Sequence, residues 1–275
     1  MTVTPIPAVK STQVSVVICT RNRASQLAAT LRSLTRLRHP DPWELVIVDN
    51  GSNDETQDVI KNYEKSLLLK TVVEPQEGLG RARNRGWAMS QGDIVAFTDD
   101  DCYPADDFLS SIVRCFEEYA RLGFIGGPNF ACRRAALESV NGFDERFGAG
   151  ALFWSGEDVD VLARILACGW QGAYDPRPLV YHHHRRRTES EVLRLRRHYD
   201  RGRGAYYTKC ILDPRLRAAF LLKCCKAMLR QPGRRTARVL TAAAEFLVRS
   251  AAAKCISGLR SAPGIRGFAK EERRS

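Results

Sequence analysis

Four short apolar runs set the frame for this chain: Val14–Cys19, Leu45–Val48, Leu67–Val73 and Ile94–Phe97. They are rich in β-branched residues and too short for buried helices, so they read as strands. Between them lie segments with helical spacing. Leu27, Thr30, Leu31 and Leu34 share one face after the first run, a second helix reaches about Tyr63, and a loop from Gly78 leads into a basic helix over Arg81–Arg85. Strands alternating with helices specify an α/β layer architecture: a Rossmann-like, mainly parallel sheet flanked by helices.

In such sheets ligands sit at the carboxyl ends of the strands. Three of the runs end in polar clusters: Thr20-Arg21-Asn22, Asp49-Asn50 and Asp99-Asp100-Asp101. Together they make a site for a phosphorylated ligand plus a metal. Residues two apart in an extended segment face one side, so Asp99 and Asp101 can converge on one cation. Hard oxygen ligands suit Mg²⁺ or Mn²⁺. The triplet also fits a solvated acidic turn before Tyr103-Pro104, and Asp49 before Asn-Gly fits a plain turn. No G-x-G-x-x-G follows the first strand and no Walker A pattern occurs, which argues against the common dinucleotide and P-loop sites.

Beyond Pro104 a helix runs to about Tyr119, with Phe108, Ile112, Val113 and Phe116 inward. Phe124-Ile125 is a short strand, Gly126-Gly127-Pro128 follows, and a helix covers Ala135–Val140. Trp154-Ser155-Gly156-Glu157-Asp158 opens a helix whose apolar residues are Val159, Leu162, Ile165 and Leu166, closed by Gly169. Ser155 and Asp158 have the spacing of a capping box, so Asp158 reads either as a cap or as a catalytic carboxylate. Glu157 either orients loop groups or is solvated. Trp154 either stacks on a sugar or belongs to the core. Leu179–Tyr181 is a last strand running into His182-His183-His184 and Arg185–Arg187. Alternation places His182 and His184 on one side, so either can ligate.

The net charge of +12 is unevenly placed. Arg185–Ser275 holds 24 of the 43 Lys and Arg and 7 of the 31 Asp and Glu, a balance of +17, which leaves the preceding residues at −5. The basic part contains two amphipathic segments, Leu216–Leu229 and Val239–Ile256, the second with a stripe of Val239, Leu240, Ala243, Phe246 and Leu247. Basic flanks with apolar faces suit an anionic membrane surface, or helices that pack on the core and expose their arginines. No nucleic-acid-binding motif accompanies the charge, so nucleic acid is not an expected partner. The nine cysteines are scattered without CxxC spacing, which fits a reducing cytoplasmic compartment better than a disulfide framework. The polar first dozen residues lack the apolar core of a signal peptide, and no apolar run approaches a membrane span.

Taken in order, these motifs resemble the family 2 glycosyltransferases, which have the GT-A fold. The resemblance spans about Val14 to Lys209 and is carried by Val14–Arg23, Val46–Ser52, Gly78–Gly86, Asp99–Asp101, Asn129–Arg134, Gly142–Glu145, Gly156-Glu157-Asp158, His182 and Gly202–Ala205. It implies a GT-A domain over residues 1–187 with a basic helical region over 188–275. The implied activity is inverting transfer of a sugar from a nucleotide-sugar, usually UDP-linked, to an acceptor hydroxyl. Thr20 and Asp49 would hold the nucleoside, and Arg21, Asn22 and Arg83 would line the nucleotide pocket. Asp99 would face the ribose or metal, Asp101 and His182 would bind Mn²⁺ or Mg²⁺, and Asp158 would be the general base. Asp100 is expected to face elsewhere, and only one of Arg81, Arg83 and Arg85 to touch the nucleotide.

The expected partners are a nucleotide-sugar donor, a glycan or lipid-linked acceptor and an anionic membrane surface. The expected location is cytoplasmic, peripheral on the cytoplasmic membrane face, in cell-surface polysaccharide or glycolipid synthesis. One departure concerns the acceptor side: Phe124–Asn129 joins segments that family members connect by a longer stretch, which implies a more open acceptor site. A nucleotidyltransferase and a non-catalytic nucleotide-sugar-binding module are the competing readings.

Overall fold

The computed structural model describes residues 14–39, 41–126, 129–183, 188–230 and 233–261. The chain divides into two units, Met1–Val192 and Leu193–Ser275.

The first unit opens with β1 Val14–Thr20, α1 Ala24–Leu34, β2 Trp43–Asp49, α2 Thr56–Tyr63, β3 Leu69–Val73, α3 Leu79–Met89 and β4 Ile94–Asp99. The four predicted strands are present and all pair in parallel, in the order β3-β2-β1-β4. Register aligns their ends: Thr20 lies opposite Asp49, and Cys19 opposite Asp99. The polar clusters therefore share one sheet edge.

Then come β5 Cys102–Pro104, α4 Phe108–Glu118, β6 Leu122–Gly126, β7 Phe130–Arg133, α5 Arg134–Glu138, α6 Glu157–Ala167, β8 Gln171–Tyr174 and β9 Val180–His182. β7 pairs antiparallel with both β4 and β6, and β8 joins β6, completing a seven-stranded sheet. The short Phe124–Asn129 connection follows from this, because β6 and β7 are direct neighbours. A separate ribbon pairs β5 with β9 and sets Cys102 opposite His182.

Both sheet faces are buried, which is why the parallel strands read as continuous apolar runs. Val16, Ile18, Leu45, Ile47, Ile94 and Ala96 pack on one side with Leu27 and Leu31 of α1 and Leu109 and Ile112 of α4. Val17, Val46, Val48, Val95 and Phe97 pack on the other with Ala82 of α3, Leu137 of α5 and Val161 and Ile165 of α6. Each fully buried side chain of this kind contributes roughly 1.5–3 kcal/mol of transfer free energy. α3 lies close against the sheet at Gly86, where a Cβ would come within 2.4 Å of Val17 Cγ1.

α6 differs from its sequence reading in two ways. Its N-cap is Gly156 at φ 98, with no side-chain cap, so the Ser155–Asp158 capping box does not form. Glycine at a left-handed φ turns the chain where a serine cap would need an extended residue. Its inner face is also rotated: Val159 and Leu166 are exposed, whereas Glu157, Asp160, Val161 and Ile165 are buried. The two buried acids have guanidinium partners, Arg83 and Arg164. Apolar periodicity cannot register paired charges on a buried face.

α7 Glu189–Leu212 spans the boundary between the units, and α8 Arg217–Arg230 and α9 Arg234–Ser261 complete the second. Among its described residues, Ala205, Tyr206, Cys210, Phe220, Ala242 and Phe246 are the buried apolar ones. Tyr206 meets Phe220 edge-on at 5.2 Å. Of the stripe expected on α9, Phe246 is buried, but Leu240 and Leu247 are exposed. Among the described residues no helix is long and apolar enough to cross a membrane. The expectations for Gly127, Pro128, His184 and Arg185–Arg187 lie outside the described residues.

Candidate active site

The end of β4 gathers the charged groups. Asp99, Asp101, Cys102 and His182 each offer a ligand atom, and these atoms all lie within 4.8 Å of one another. The chain achieves this in two steps. β4 ends at Asp99, the backbone turns through Asp100-Asp101, and β5 then starts at Cys102. β9 pairs with β5 and returns His182, with Nε2 2.9 Å from Asp101 Oδ1. Asp101 Oδ2 accepts a hydrogen bond from Arg23 at 2.5 Å. Burial raises the Asp101 carboxyl, but the Arg23 hydrogen bond and charge, with His182, outweigh it and hold it below the ordinary carboxylate range.

Asp100 turns away from this group, as the sequence suggested. Its Oδ2 accepts from the Thr20 hydroxyl at 2.7 Å and its Oδ1 pairs with Arg23 at 2.9 Å. Burial pushes it up to about 6 in spite of Arg23 and Thr20. Thr20 is itself buried and spends its hydroxyl on this bond. The two residues therefore latch β1 to the acidic turn.

Arg83 joins this turn to α6. It is buried, with Nη1 2.9 Å from Glu157 Oε1 and Nη2 3.4 Å from Asp99 Oδ1. The guanidinium also lies over the Phe130 ring at 5.3 Å. Burial opposes its charge, but Glu157 and Asp99 more than restore it. Burial pushes the Glu157 carboxyl up, against the pull of Arg83. Asp158, half-buried beside Glu157, follows at the first turn of α6 and accepts the Val159 N–H at 2.7 Å. Of the other basic residues on α3, Arg81 pairs with Glu145 and Arg85 is exposed.

The β2 end forms the other flank. Buried Asp49 accepts from the Ser52 N–H at 2.8 Å and from Gln57 Nε2. Arg21 donates to the Asn50 carbonyl at 3.0 Å and pairs with Glu77 at 3.3 Å. Asn22, exposed at φ 52, accepts the Asn53 N–H at 2.7 Å. Trp154 is 44% exposed, which removes the core reading. Its φ of 58 is a costly backbone conformation for a bulky residue, of the kind that clusters at functional sites.

Three contributors were not singled out from sequence. Arg23 bridges two acids 77 and 78 positions away. Asn50 donates to the carbonyls of Glu74 and Gln76 and accepts the Gly78 N–H. Asn129 accepts from Thr98 and donates to the Cys102 sulfur at 3.5 Å. The polar strand ends pointed towards Arg23 and Asn50, and Asn129 opens the Asn129–Arg134 stretch that carries the family resemblance, but no local pattern gave any of the three its contacts.

The donor set fits a hard divalent cation. Two carboxylates and an imidazole converge, whereas burial pushes the Cys102 thiol up to about 11, so it stays protonated and is a poor ligand. Asp99, Asp101 and His182 are the residues that would hold Mn²⁺ or Mg²⁺.

Known proteins match this chain in sequence and fold. Residues 15–137 match the family model "Glycosyl transferase family 2", and residues 109–188 the model "N-terminal domain of galactosyltransferase". The chain is 27% identical over 225 residues to the pre-mycofactocin glycosyltransferase of Mycobacterium tuberculosis, covering 66% of this chain and 45% of that protein. It is 24% identical over 217 residues to the probable glycosyltransferase YdaM of Bacillus subtilis, covering 62% and 50%. The chain thus spans about half the length of these curated relatives. Among solved structures, the mannosyltransferase PcManGT from Pyrobaculum calidifontis, in complex with GDP-Man and Mn²⁺, aligns with a TM-score of 0.67 at 21% identity, covering 90% of this chain and 79% of that one. S. aureus TarS 1–349 in complex with UDP-GlcNAc aligns with a TM-score of 0.58 at 17% identity, covering 76% and 69%. The fold is that of the GT-A glycosyltransferases.

Proposed function

For a chain that carries a family 2 glycosyltransferase domain over residues 15–137, we propose metal-dependent, inverting transfer of a sugar from a nucleoside diphosphate sugar to an acceptor hydroxyl. The observation that carries this reading is the Asp99–Arg83–Glu157 chain of ion pairs. It ties the cation-binding end of β4 to the first turn of α6, where Asp158 stands. The leaving diphosphate and the attacking hydroxyl need opposite help, and this chain sets the two kinds of group beside one another.

In the proposed reaction the acceptor oxygen bonds to the anomeric carbon from the face opposite the nucleotide. Asp158 takes the hydroxyl proton, and the bond from that carbon to the diphosphate oxygen breaks. Asp99, Asp101 and His182 would hold a Mn²⁺ or Mg²⁺, which would supply Lewis-acid stabilisation of the departing charge. Arg83 holds Glu157 and keeps the helix start in place. Asp49, with Thr20, Arg21 and Asn22 along the neighbouring strand end, lines the nucleoside side, and a UDP-linked donor is the first to try. Trp154 presents its ring to the acceptor sugar.

The biological setting we favour is cell-surface polysaccharide or glycolipid synthesis at the cytoplasmic membrane face, with residues 1–187 as the transferase domain and 188–275 as a basic helical region. The exposed Leu221, Leu222, Leu240, Leu247 and Val248 of α8 and α9, on a strongly basic segment, support surface attachment to anionic lipid.

Asp158→Asn tests the central claim. Transfer should fall by about 10²–10⁴-fold, the usual worth of a general base. Donor binding, followed by thermal shift with Mn²⁺, should stay near that of the unaltered protein. Full transfer by Asp158→Asn would remove the role given to that residue. Release of pyrophosphate rather than a nucleoside diphosphate would replace the reaction with nucleotidyl transfer.

A further inference from the structure

We propose that the second unit contains a binding cavity for a phosphate group, lined by none of the residues of the strand-end site. The cavity, about 560 Å³, is lined by Leu193, Arg196, Arg197, Tyr199, Asp200, Arg203 and Arg238. That volume is in the range of small-ligand pockets. Four guanidiniums face one carboxylate, so the lining carries a surplus of three positive charges.

The cavity has built-in order. Asp200 is buried, and its Oδ2 accepts from Arg238 Nη2 at 2.8 Å and Nε at 3.2 Å. Its Oδ1 lies 3.5 Å from Arg203 Nη1. The carboxylate thus fixes two guanidiniums, and each retains further N–H donors. Close approach of α7 and α9 makes this reach feasible. A Cβ on Gly204 would come within 2.2 Å of the Val239 carbonyl oxygen, so the two helix backbones nearly touch one residue from Arg203 and Arg238.

Arg196 and Arg197 differ from the other two. Both are exposed, and neither makes a hydrogen bond or ion pair with another described residue. Two arginines held by a buried acid and two without a partner among the described residues, around one cavity, suit a dianionic group with three oxygens to share. Leu193 and Tyr199, 44% and 48% exposed at the same cavity, offer apolar surface to whatever the phosphate is attached to. Two sources fit that chemistry, a lipid phosphate headgroup and a soluble phosphate ester.

The test uses the full chain and two probes, monomeric dihexanoyl phosphatidic acid and glycerol 3-phosphate, titrated by calorimetry at two salt concentrations. Saturable binding is expected, weakened by salt. Arg196→Ala with Arg197→Ala should lower the affinity about tenfold or more, since each removes a charge-assisted contact. Neither change touches the Asp200 pairs, so the melting temperature should hold. A control pair of equal charge loss outside the cavity, Arg194→Ala with Arg217→Ala, should leave affinity within about twofold if surface charges act only weakly through solvent. Stronger binding of the lipid probe assigns a headgroup, and equal binding assigns a soluble ester. Absence of saturable binding, or an equal loss in the control pair, overturns the cavity as a site. Sugar transfer by the strand-end site is not part of this readout, so either proposal can fail alone.

Discussion

Each of the two units has a buried ion at the centre of a charge cluster, and the two clusters are built oppositely. In the first unit a cation is enclosed by acids: Arg83 is buried between Glu157 and Asp99, with Phe130 beneath it. In the second an acid is enclosed by cations: Asp200 is buried, but its partners Arg203 and Arg238 keep 34% and 42% of their side chains in solvent. A buried group with a buried partner, as Arg83 has in Glu157 although Asp99 keeps 37% of its side chain in solvent, has no alternative to that pair. One whose partners reach water leaves them solvated when it is removed. The difference predicts how far each region depends on a single residue.

Arg83→Met should be the costlier change. It leaves Glu157 buried without its cation, and breaking a buried pair in this way typically costs about 3–5 kcal/mol. Denaturant unfolding measures it, and a loss below about 1 kcal/mol, the range of exposed pairs, would show that water reaches the pair. Asp200→Asn should cost less, about 1–2 kcal/mol, because hydrogen bonds are weakened but the arginines can turn to solvent. An Asp200→Asn cost as large as that of Arg83→Met would break the contrast.

The same logic gives two opposite pH slopes. Glu157 is pushed up by burial, so in the folded protein it holds its proton to higher pH than when unfolded. The folded state binds more protons, and stability falls as pH rises from the ordinary carboxylate range through the raised value. Glu157→Gln should flatten that decline. Glu44 is the counter-case. Burial raises it, but bonds from Lys70, Ser15 and the Gln91 N–H outweigh burial and lower it. Its contribution is present above the unfolded value and is lost as pH falls through the folded one. Glu44→Gln should flatten the acid limb by no more than about 1 kcal/mol, since the pair lies near the surface. Unfolding midpoints from pH 3 to 8, roughly the span of these titrations, would separate the two. Slopes of the same sign in both variants would refute the assignment.

The parallel half of the sheet was legible because burial on both faces writes itself as apolar runs. Its strand ends were legible because polar residues stop those runs abruptly. The other half was less so: Phe124-Ile125 announced β6, but β7 and β8 are four residues each, and β8 contains Gln171 and Gly172 rather than an apolar run. Within the site, the pairing of Asp99 with Asp101 could be read from alternation, although the chain reaches it through a turn at Asp100-Asp101 rather than an extended strand. The latch of Thr20 to Asp100 and the pairing of Arg23 could not, because they join residues whose nearness exists only after β1 and β4 pair. The capping box failed for a local reason. Ser155-x-x-Asp158 has the right spacing, but Gly156 takes the N-cap position at a φ that only glycine adopts easily. Arg83 was assigned to the nucleotide pocket by motif, whereas its position between two acids gives it a part in holding α6.

Asp101 already has company: Arg23 on one oxygen and His182 on the other. If the proposed cation binds there, it would meet a carboxylate that already has two partners, and its affinity would be what remains after any of those contacts is given up. Arg23 would keep its hold on Asp100 through its other nitrogen, so the acidic turn would keep its shape with the ion or without it.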